Sequence, residues 1–145
     1  MGENLDQRIE LAITLRNLGV ESVPLNFLNP QPGTPMAHVE PMKPMEILKA
    51  IAVFRYLLPK AEIRIAGGRQ FLGELQVMIF MAGASGVMIG DYLTTKGRQV
   101  EDDLKMLDTL NLKPRGDTQS RREAGVEQRR AARDDAVTEH KVMWT

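Results

Sequence analysis

Cysteine is absent from the 145 residues of this chain. That absence excludes disulfide bonds, thiolate metal ligands and a cysteine nucleophile within the chain. The 19 basic and 19 acidic side chains cancel, so net charge gives no reason to expect binding to nucleic acid or an anionic membrane. No apolar run approaches the roughly 20 residues of a membrane span, and no signal-peptide pattern is present. We therefore expect a cytoplasmic protein that has neither nucleic acid nor a membrane as its partner.

The composition of the chain changes near Pro114. Residues 115–141 contain no Leu, Ile, Phe or Met, and their Arg and acidic residues are interspersed. A segment of this kind cannot bury enough apolar surface to offset the entropy lost on ordering. We expect residues 1–113 to form a folded domain and residues 114–145 to form a polar tail, either disordered or loosely helical.

Before Pro114, helical and strand-like patterns alternate along the chain. Asn4 is a suitable cap for the first helix, and Pro44 suits the first turn of the second. Alternation of this kind favours parallel strands with helices packed on the outside. The patterns predict helices at 4–19, 43–59, 74–84 and 100–112, and strands at 21–28, 61–68 and 86–93.

The first two strands have one apolar face and one small or polar face. Along the second strand, Ile63 and Ile65 alternate with Arg64, and Asn26 interrupts the apolar pattern of the first strand near its end. A central strand of an open doubly wound sheet is apolar on both faces, whereas a barrel strand can carry polar residues that face inwards. Three strands do not close a barrel, which typically needs about 250 residues. We therefore predict an α/β fold, a partial (β/α)8 TIM barrel that holds about strands six to eight.

Four separated stretches closely resemble the C-terminal half of the biotin synthase family, whose members are radical S-adenosylmethionine (SAM) enzymes. The resemblance runs in order from about residue 1 to residue 112, and the four motifs together are far more specific than any one alone. The stretches are SVPLNFLNPQPGTP, AEIRIAGGRQ, MAGASGVMIGDYLTT and VEDDLKMLDTLNL.

The resemblance implies a function and a set of cofactors. Members of the family are (β/α)8 barrels, usually homodimers, that insert sulfur into dethiobiotin to form biotin. They use SAM with a [4Fe-4S] cluster, and a [2Fe-2S] cluster donates the sulfur. Arg64 matches the arginine that ligates the [2Fe-2S] cluster, and Asn26 matches an asparagine that contacts dethiobiotin. Gly2 and Glu3 match the end of a stretch that holds SAM.

The sequence departs from the family pattern because the CxxxCxxC motif and the three other cluster cysteines are absent. The resemblance therefore implies no catalytic residue in this chain alone and no cofactor bound stably by it. The missing N-terminal half of the barrel becomes an expected partner, as for a gene fragment, a misplaced gene start or a split enzyme. The alternative function is a non-catalytic half-barrel that acts as an interaction module.

Each candidate residue also has a structural interpretation. Arg64 could pair with Glu62, which lies on the same face of the strand, or with an acidic residue on a neighbouring strand. Asn26 could satisfy backbone groups at the end of its strand. An amide that donates and accepts at once also suits the N–H and C=O groups of a ureido ring.

Overall fold

A computed structural model of the chain describes residues 2–91 and 97–114. One compact unit spans Met1–Leu110, and a second comprises Asn111–Thr145. Only residues 111–114 of the second unit are described, so the predicted polar tail lies outside the described residues.

Helices and parallel strands alternate through the first unit, as the sequence predicts. The strands are β1 (Ser22–Asn26), β2 (Glu62–Gly67) and β3 (Gly86–Val87). The α-helices are α1 (Leu5–Asn17), α2 (Pro44–Leu57), α3 (Met78–Met81) and α4 (Val100–Thr109), and a 3₁₀ segment covers Arg69–Val77.

Local signals fix the starts of the first two helices. The Asn4 side chain accepts a hydrogen bond from the Gln7 backbone N–H, and the Gln7 side chain accepts one from the Asn4 N–H, both at 2.9 Å. This reciprocal capping box satisfies two backbone donors that a helix leaves unpaired. Pro44 occupies the first turn of α2, where its missing N–H costs nothing. Both sequence predictions are confirmed.

The sheet has the order β1-β2-β3, and both pairs of strands are parallel. Pro24 lies opposite Arg64 in the β1–β2 register, and Arg64 lies opposite Gly86 in the β2–β3 register. The β1–β2 register shifts between Leu25 and Asn26. This order places β2 at the centre, and it leaves the outer edges of β1 and β3 without a partner strand among the described residues.

The helices of the described residues cover one face of the sheet. Ile63 and Ile65 of β2 are fully buried on that face. Two adjoining apolar clusters fill the space between the sheet and the helices. The first is Phe27, Ile47, Leu48, Ala50, Ile51, Ile65, Leu72, Ile79 and Ala84. The second is Ala12, Val23, Phe54, Leu58, Ala61 and Ile63.

The other face of the sheet is exposed, and we call it the open face. It carries the side chains of Pro24, Asn26, Glu62 and Arg64, all of which are exposed. The alternation of apolar and polar residues in the sequence therefore predicts correctly which side chains the helices cover.

Two predicted elements are wrong in their bounds. Of the helix predicted at 74–84, only Met78–Met81 is α-helical. Residues 74–77 belong to a 3₁₀ segment that starts at Arg69, because Gly68 turns the chain and its carbonyl accepts a hydrogen bond from the Phe71 N–H. Gly73, with φ of 51°, interrupts that segment. Of the strand predicted at 86–93, Gly86–Val87 forms a strand and residues 88–91 do not, while residues 92 and 93 lie outside the described residues. The φ of Gly90 is positive, at 83°. In the described part of the chain, no helix has the length and apolar character needed to span a membrane.

Candidate functional site

Asn26 and Arg64 lie on the same open face of the sheet, Asn26 at the carboxyl end of β1 and Arg64 near the middle of β2. Asn26 is the last residue of β1, and Arg64 lies opposite Pro24, two residues before Asn26. Both side chains are exposed. Two residues predicted from separate motifs are therefore brought onto one surface by the parallel pairing of their strands. In α/β folds, the carboxyl ends of parallel strands are where ligands bind.

Arg64 makes no ion pair with an acidic side chain among the described residues. Within residues 2–91 and 97–114, no hydrogen bond or ion pair joins Arg64 to Glu62. The Arg64 side chain passes over Gly86, where an added Cβ would meet Arg64 Cγ at 4.0 Å. Its guanidinium group is exposed and keeps its hydrogen-bond donors available to a ligand.

Asn26 is positioned by the register shift in the sheet. Leu25 lies opposite Ile65, but Asn26 lies opposite Gly67, so Ala66 is the extra residue of a bulge. Bulges of this kind redirect side chains at functional sites. Among the described residues, the Asn26 side chain makes no hydrogen bond to the backbone, so the alternative role of satisfying a strand end is not seen. Its amide can therefore donate to one ligand atom and accept from another.

Gly67 and Gly68 form the turn that lies against Asn26 and Phe27. An added Cβ on Gly67 would lie 3.0 Å from Asn26 Oδ1. An added Cβ on Gly68 would lie 2.1 Å from the Phe27 carbonyl oxygen, and Gly68 has φ of 80°. The Phe27 N–H donates to the Gly67 carbonyl at 3.0 Å. The two glycines therefore allow a close backbone approach in a tight turn.

A buried ion pair is formed by the residue that follows this turn in the chain. Arg69 follows Gly68, and its guanidinium donates two parallel hydrogen bonds to the Asp103 carboxylate of α4, one of them from Nη1 to Oδ1 at 2.8 Å. The Arg69 and Asp103 side chains are 2% and 0% exposed. Arg69 Nη1 also donates to Gln76 Oε1 at 3.2 Å. Paired hydrogen bonds between a guanidinium and a carboxylate fix both position and orientation.

Sequence reasoning missed the role of Asp103. The three acidic residues at the start of α4 suit the positive end of a helix dipole, and that explanation accounts for all three alike. In the structure Asp103 is buried, whereas Glu101 and Asp102 are exposed. A signal was available, because Asp103 lies three residues before the buried Met106 and so shares its helical face.

A cavity of about 440 Å³ lies beside β1 and brings Gly2 and Glu3 close to Asn26. Its wall is mainly apolar, with Arg8 and Glu40 as further charged residues. The pKa of the Glu3 carboxyl is lowered, first by a hydrogen bond from the chain's terminal ammonium group and then by the Glu3 backbone N–H. Arg64 does not line this cavity. The structure thus groups three of the four predicted site residues around one cavity and places the fourth on the adjacent open face.

A larger cavity, of about 750 Å³, lies at the opposite end of the sheet. It is bounded by Arg16, by residues 19–22 and by residues 58–62, at the amino ends of β1 and β2. The Ser22 hydroxyl, buried at this end, has no hydrogen-bond partner among the described residues. We place the functional site at the carboxyl end because residues at the amino ends of barrel strands generally serve stability.

The residues of this chain do not by themselves fit an iron–sulfur cluster. Such clusters are held mainly by cysteine thiolates, and the sequence contains no cysteine. In the described part of the chain, no three His, Asp or Glu side chains are grouped so as to hold a metal ion. Arg64, which the resemblance matches to a cluster ligand, offers a guanidinium, and a lone guanidinium does not hold a cluster.

Comparison with known proteins assigns the family. Residues 24–113, which include Asn26, Arg64 and Asp103, match the Biotin and Thiamin Synthesis associated domain. The chain belongs to this domain family. The matched region starts within β1 and extends past the end of α4. Asn26, Arg64, the Gly67–Gly68 turn, Arg69 and Asp103 therefore belong to the Biotin and Thiamin Synthesis associated domain, whereas Gly2, Glu3 and Arg8 precede the matched residues.

Curated proteins similar to this chain are biotin synthases. That of Syntrophotalea carbinolica is 56% identical over 113 residues, which are 77% of this chain and 35% of the relative. That of Geotalea daltonii is 58% identical over 113 residues, with 77% and 34% covered. That of Acetivibrio thermocellus is 51% identical over 112 residues, with 77% and 35% covered. The chain spans about a third of the length of these relatives, and the similarity confirms the resemblance drawn from the four motifs.

Proposed function

We propose that this chain supplies the C-terminal strands of a biotin synthase barrel, which converts dethiobiotin to biotin by inserting sulfur. In this proposal β1, β2 and β3 are strands six to eight of a (β/α)8 barrel, and residues like those in the first two thirds of the relatives complete it. The proposal rests on the similarity to named biotin synthases together with one structural observation. That observation is the open face, on which Asn26 lies at the carboxyl end of β1 and Arg64 lies on the adjacent parallel strand.

The open face has the chemistry that the substrate requires. Dethiobiotin carries a ureido ring with adjacent N–H and C=O groups, and the Asn26 amide can accept from the first and donate to the second. Nothing in the described residues competes for that amide. We assign Asn26 to substrate binding and Gly2 and Glu3 to the edge of a SAM site.

Arg64 is proposed to face the sulfur-donating [2Fe-2S] cluster. The cluster would be held by cysteines outside this chain and would supply the sulfur atom. A guanidinium stays protonated under nearly all conditions, so its contribution to metal binding is weaker than that of a thiolate. Arg64 therefore supplies positive charge and hydrogen-bond donors beside the group, and no step of the reaction is assigned to it.

The experiment uses a fusion protein. The whole chain is fused to the C-terminus of the N-terminal two thirds of Syntrophotalea carbinolica biotin synthase, where it replaces the 113 residues that match. We expect the fusion to restore growth of a biotin auxotroph and to bind dethiobiotin in calorimetry. Asn26→Ala should weaken that binding by about tenfold or more, because a buried polar group of the ligand loses its partner. Asn17→Ala, at the exposed end of α1, serves as the matched control and should change nothing.

The same experiment separates this proposal from a non-catalytic interaction module. The edges of β1 and β3 have no partner strand in the part of the chain that the structure describes, and together with the open face they would also suit a partner chain that completes the sheet. A module of that kind predicts that the fusion folds but neither binds dethiobiotin nor restores growth. That result, or an Asn26→Ala variant that binds as tightly as the parent, would contradict the assignment of the open face to biotin synthesis.

A further inference from the structure

The buried pair of Arg69 and Asp103 connects α4 to the residue that directly follows the Gly67–Gly68 turn. Arg69 is the residue after Gly68, and Asp103 lies 34 residues further on, in the first turn of α4. Besides Arg69, Asp103 has a second basic neighbour, with Arg98 Nε at 3.8 Å from Oδ1. A buried carboxylate is costly unless it is paired, and this one is held by two parallel hydrogen bonds. The pair therefore anchors the start of the 3₁₀ segment to α4.

The anchored segment is continuous with the turn that contacts Asn26. The Gly67 carbonyl accepts from the Phe27 N–H at 3.0 Å, and the α-carbon of Gly68 lies close beneath the Phe27 carbonyl. The side chain of Asn26 also lies against this turn, because Asn26 Oδ1 is 3.0 Å from the position that a Gly67 Cβ would occupy. Each link in this series is a direct contact or a peptide bond, and it ends at the exposed amide of Asn26.

We propose that Asp103 is a positioning residue for Asn26, acting through Arg69 and the Gly67–Gly68 turn. The inference rests on the proposed function, in which Asn26 binds the ureido ring. Its basis is geometric: the Asp103 carboxylate makes a buried bidentate contact with Arg69, the second residue after the end of β2. Binding groups need to be held within about 0.5 Å of their productive position by the residues behind them. Asp103 provides that support without touching the substrate.

The first test measures the turn directly and needs no substrate. In the fusion protein, hydrogen exchange is followed at the Phe27 amide, which bonds to Gly67, and at the Glu62 amide, which bonds to Glu21 at the other end of the sheet. Asp103→Asn should speed exchange at Phe27 by about tenfold and at Glu62 by less than about twofold, as a local opening does. Asp102→Asn removes an exposed charge from the same helical turn and should leave both amides unchanged.

The second test measures what the turn does for binding. In a double-mutant cycle, Asp103→Asn should weaken dethiobiotin binding about tenfold when Asn26 is present and less than about twofold when residue 26 is alanine. A purely structural role predicts the same loss in both backgrounds. Arg69→Lys, which keeps the charge but loses the paired hydrogen bonds, should act in the same direction and serves if Asp103→Asn does not fold.

The outcomes distinguish this inference from the function on which it rests. If the parent fusion does not bind dethiobiotin, the proposed function is wrong, and the exchange experiment still decides whether Asp103 holds the turn. If the fusion binds but Asp103→Asn changes exchange at Phe27 and Glu62 equally, or changes neither, Asp103 does not position Asn26. Equal losses of binding in the two backgrounds would overturn the inference as well.

Discussion

Two adjacent glycines give the sharpest test of the site, because the structure predicts opposite outcomes for them. Gly67 lies in β2 with a φ that is not positive, so alanine can adopt its backbone conformation. Gly68 has φ of 80°, which alanine adopts at a cost of roughly 1–2 kcal/mol. The same substitution at the two positions therefore separates an effect on binding from an effect on folding.

For Gly67→Ala, the new Cβ would lie 3.0 Å from Asn26 Oδ1 and 3.9 Å from Asn26 Cγ. Ordinary contact requires a few tenths of an ångström more, and the Asn26 side chain is exposed and free to move by that amount. Replacing glycine with alanine in a permitted conformation favours folding by about 0.4–1 kcal/mol. We expect the free energy of unfolding to change by less than about 1 kcal/mol, while dethiobiotin binding weakens by roughly tenfold, since a 1 Å misplacement can cost about a hundredfold.

For Gly68→Ala, the new Cβ would lie 2.1 Å from the Phe27 carbonyl oxygen and 2.7 Å from the Phe27 carbonyl carbon. A backbone carbonyl cannot rotate away, since its neighbour, the Phe27 N–H, is bonded to Gly67. The strain of the positive φ adds to the clash, so we expect a loss of about 3 kcal/mol or more in the free energy of unfolding.

Urea denaturation of the fusion protein measures the unfolding free energies, and calorimetry with dethiobiotin measures binding. Gly86→Ala is the matched control, because its Cβ would meet only Arg64 Cγ, at an ordinary 4.0 Å. If Gly67→Ala binds dethiobiotin as tightly as the parent, then Asn26 is not held against the turn in the way that the structure indicates. The reasoning also fails if Gly68→Ala is as stable as the Gly86→Ala control.

Two further predictions concern arginines. Arg64→Met, similar in bulk and uncharged, should leave the iron content of the reconstituted fusion largely intact while altering the absorption spectrum of its [2Fe-2S] cluster; an unchanged spectrum and turnover rate would make Arg64 a structural residue. Arg55 of α2 donates at 2.8 Å to both the Gly83 and the Ala61 carbonyls and at 2.6 Å to Ser85 Oγ. Arg55→Ala should lower the unfolding free energy of the fusion by about 2–4 kcal/mol, since hydrogen bonds to a charged group contribute roughly 1.5–3 kcal/mol each and this side chain is only half-buried. Urea denaturation measures this loss, with Lys49→Ala, which replaces an exposed side chain on the same helix, as the control. Equal stability of the two variants would contradict the prediction.

Much of the fold could be predicted from the sequence, because the signals that specify it are local. The capping box at Asn4, the proline at the start of α2 and the alternating faces of β1 and β2 each depend on residues a few positions apart. Helix and strand periods make such patterns readable in one dimension. The same alternation placed Asn26 on the polar face of its strand and Arg64 on that of the next.

Only the tertiary structure decided how the site is assembled, because those contacts join distant parts of the chain. The bulge that sets Asn26 beside Gly67 depends on the register between strands some 40 residues apart along the sequence, and no local pattern fixes that register. The partner of Arg69 lies 34 residues away on α4, among three acidic residues that look alike in the sequence. Of the three, only Asp103 is buried. Its burial depends on the packed molecule, because a carboxylate is buried at low cost only where a cation is positioned to pair with it.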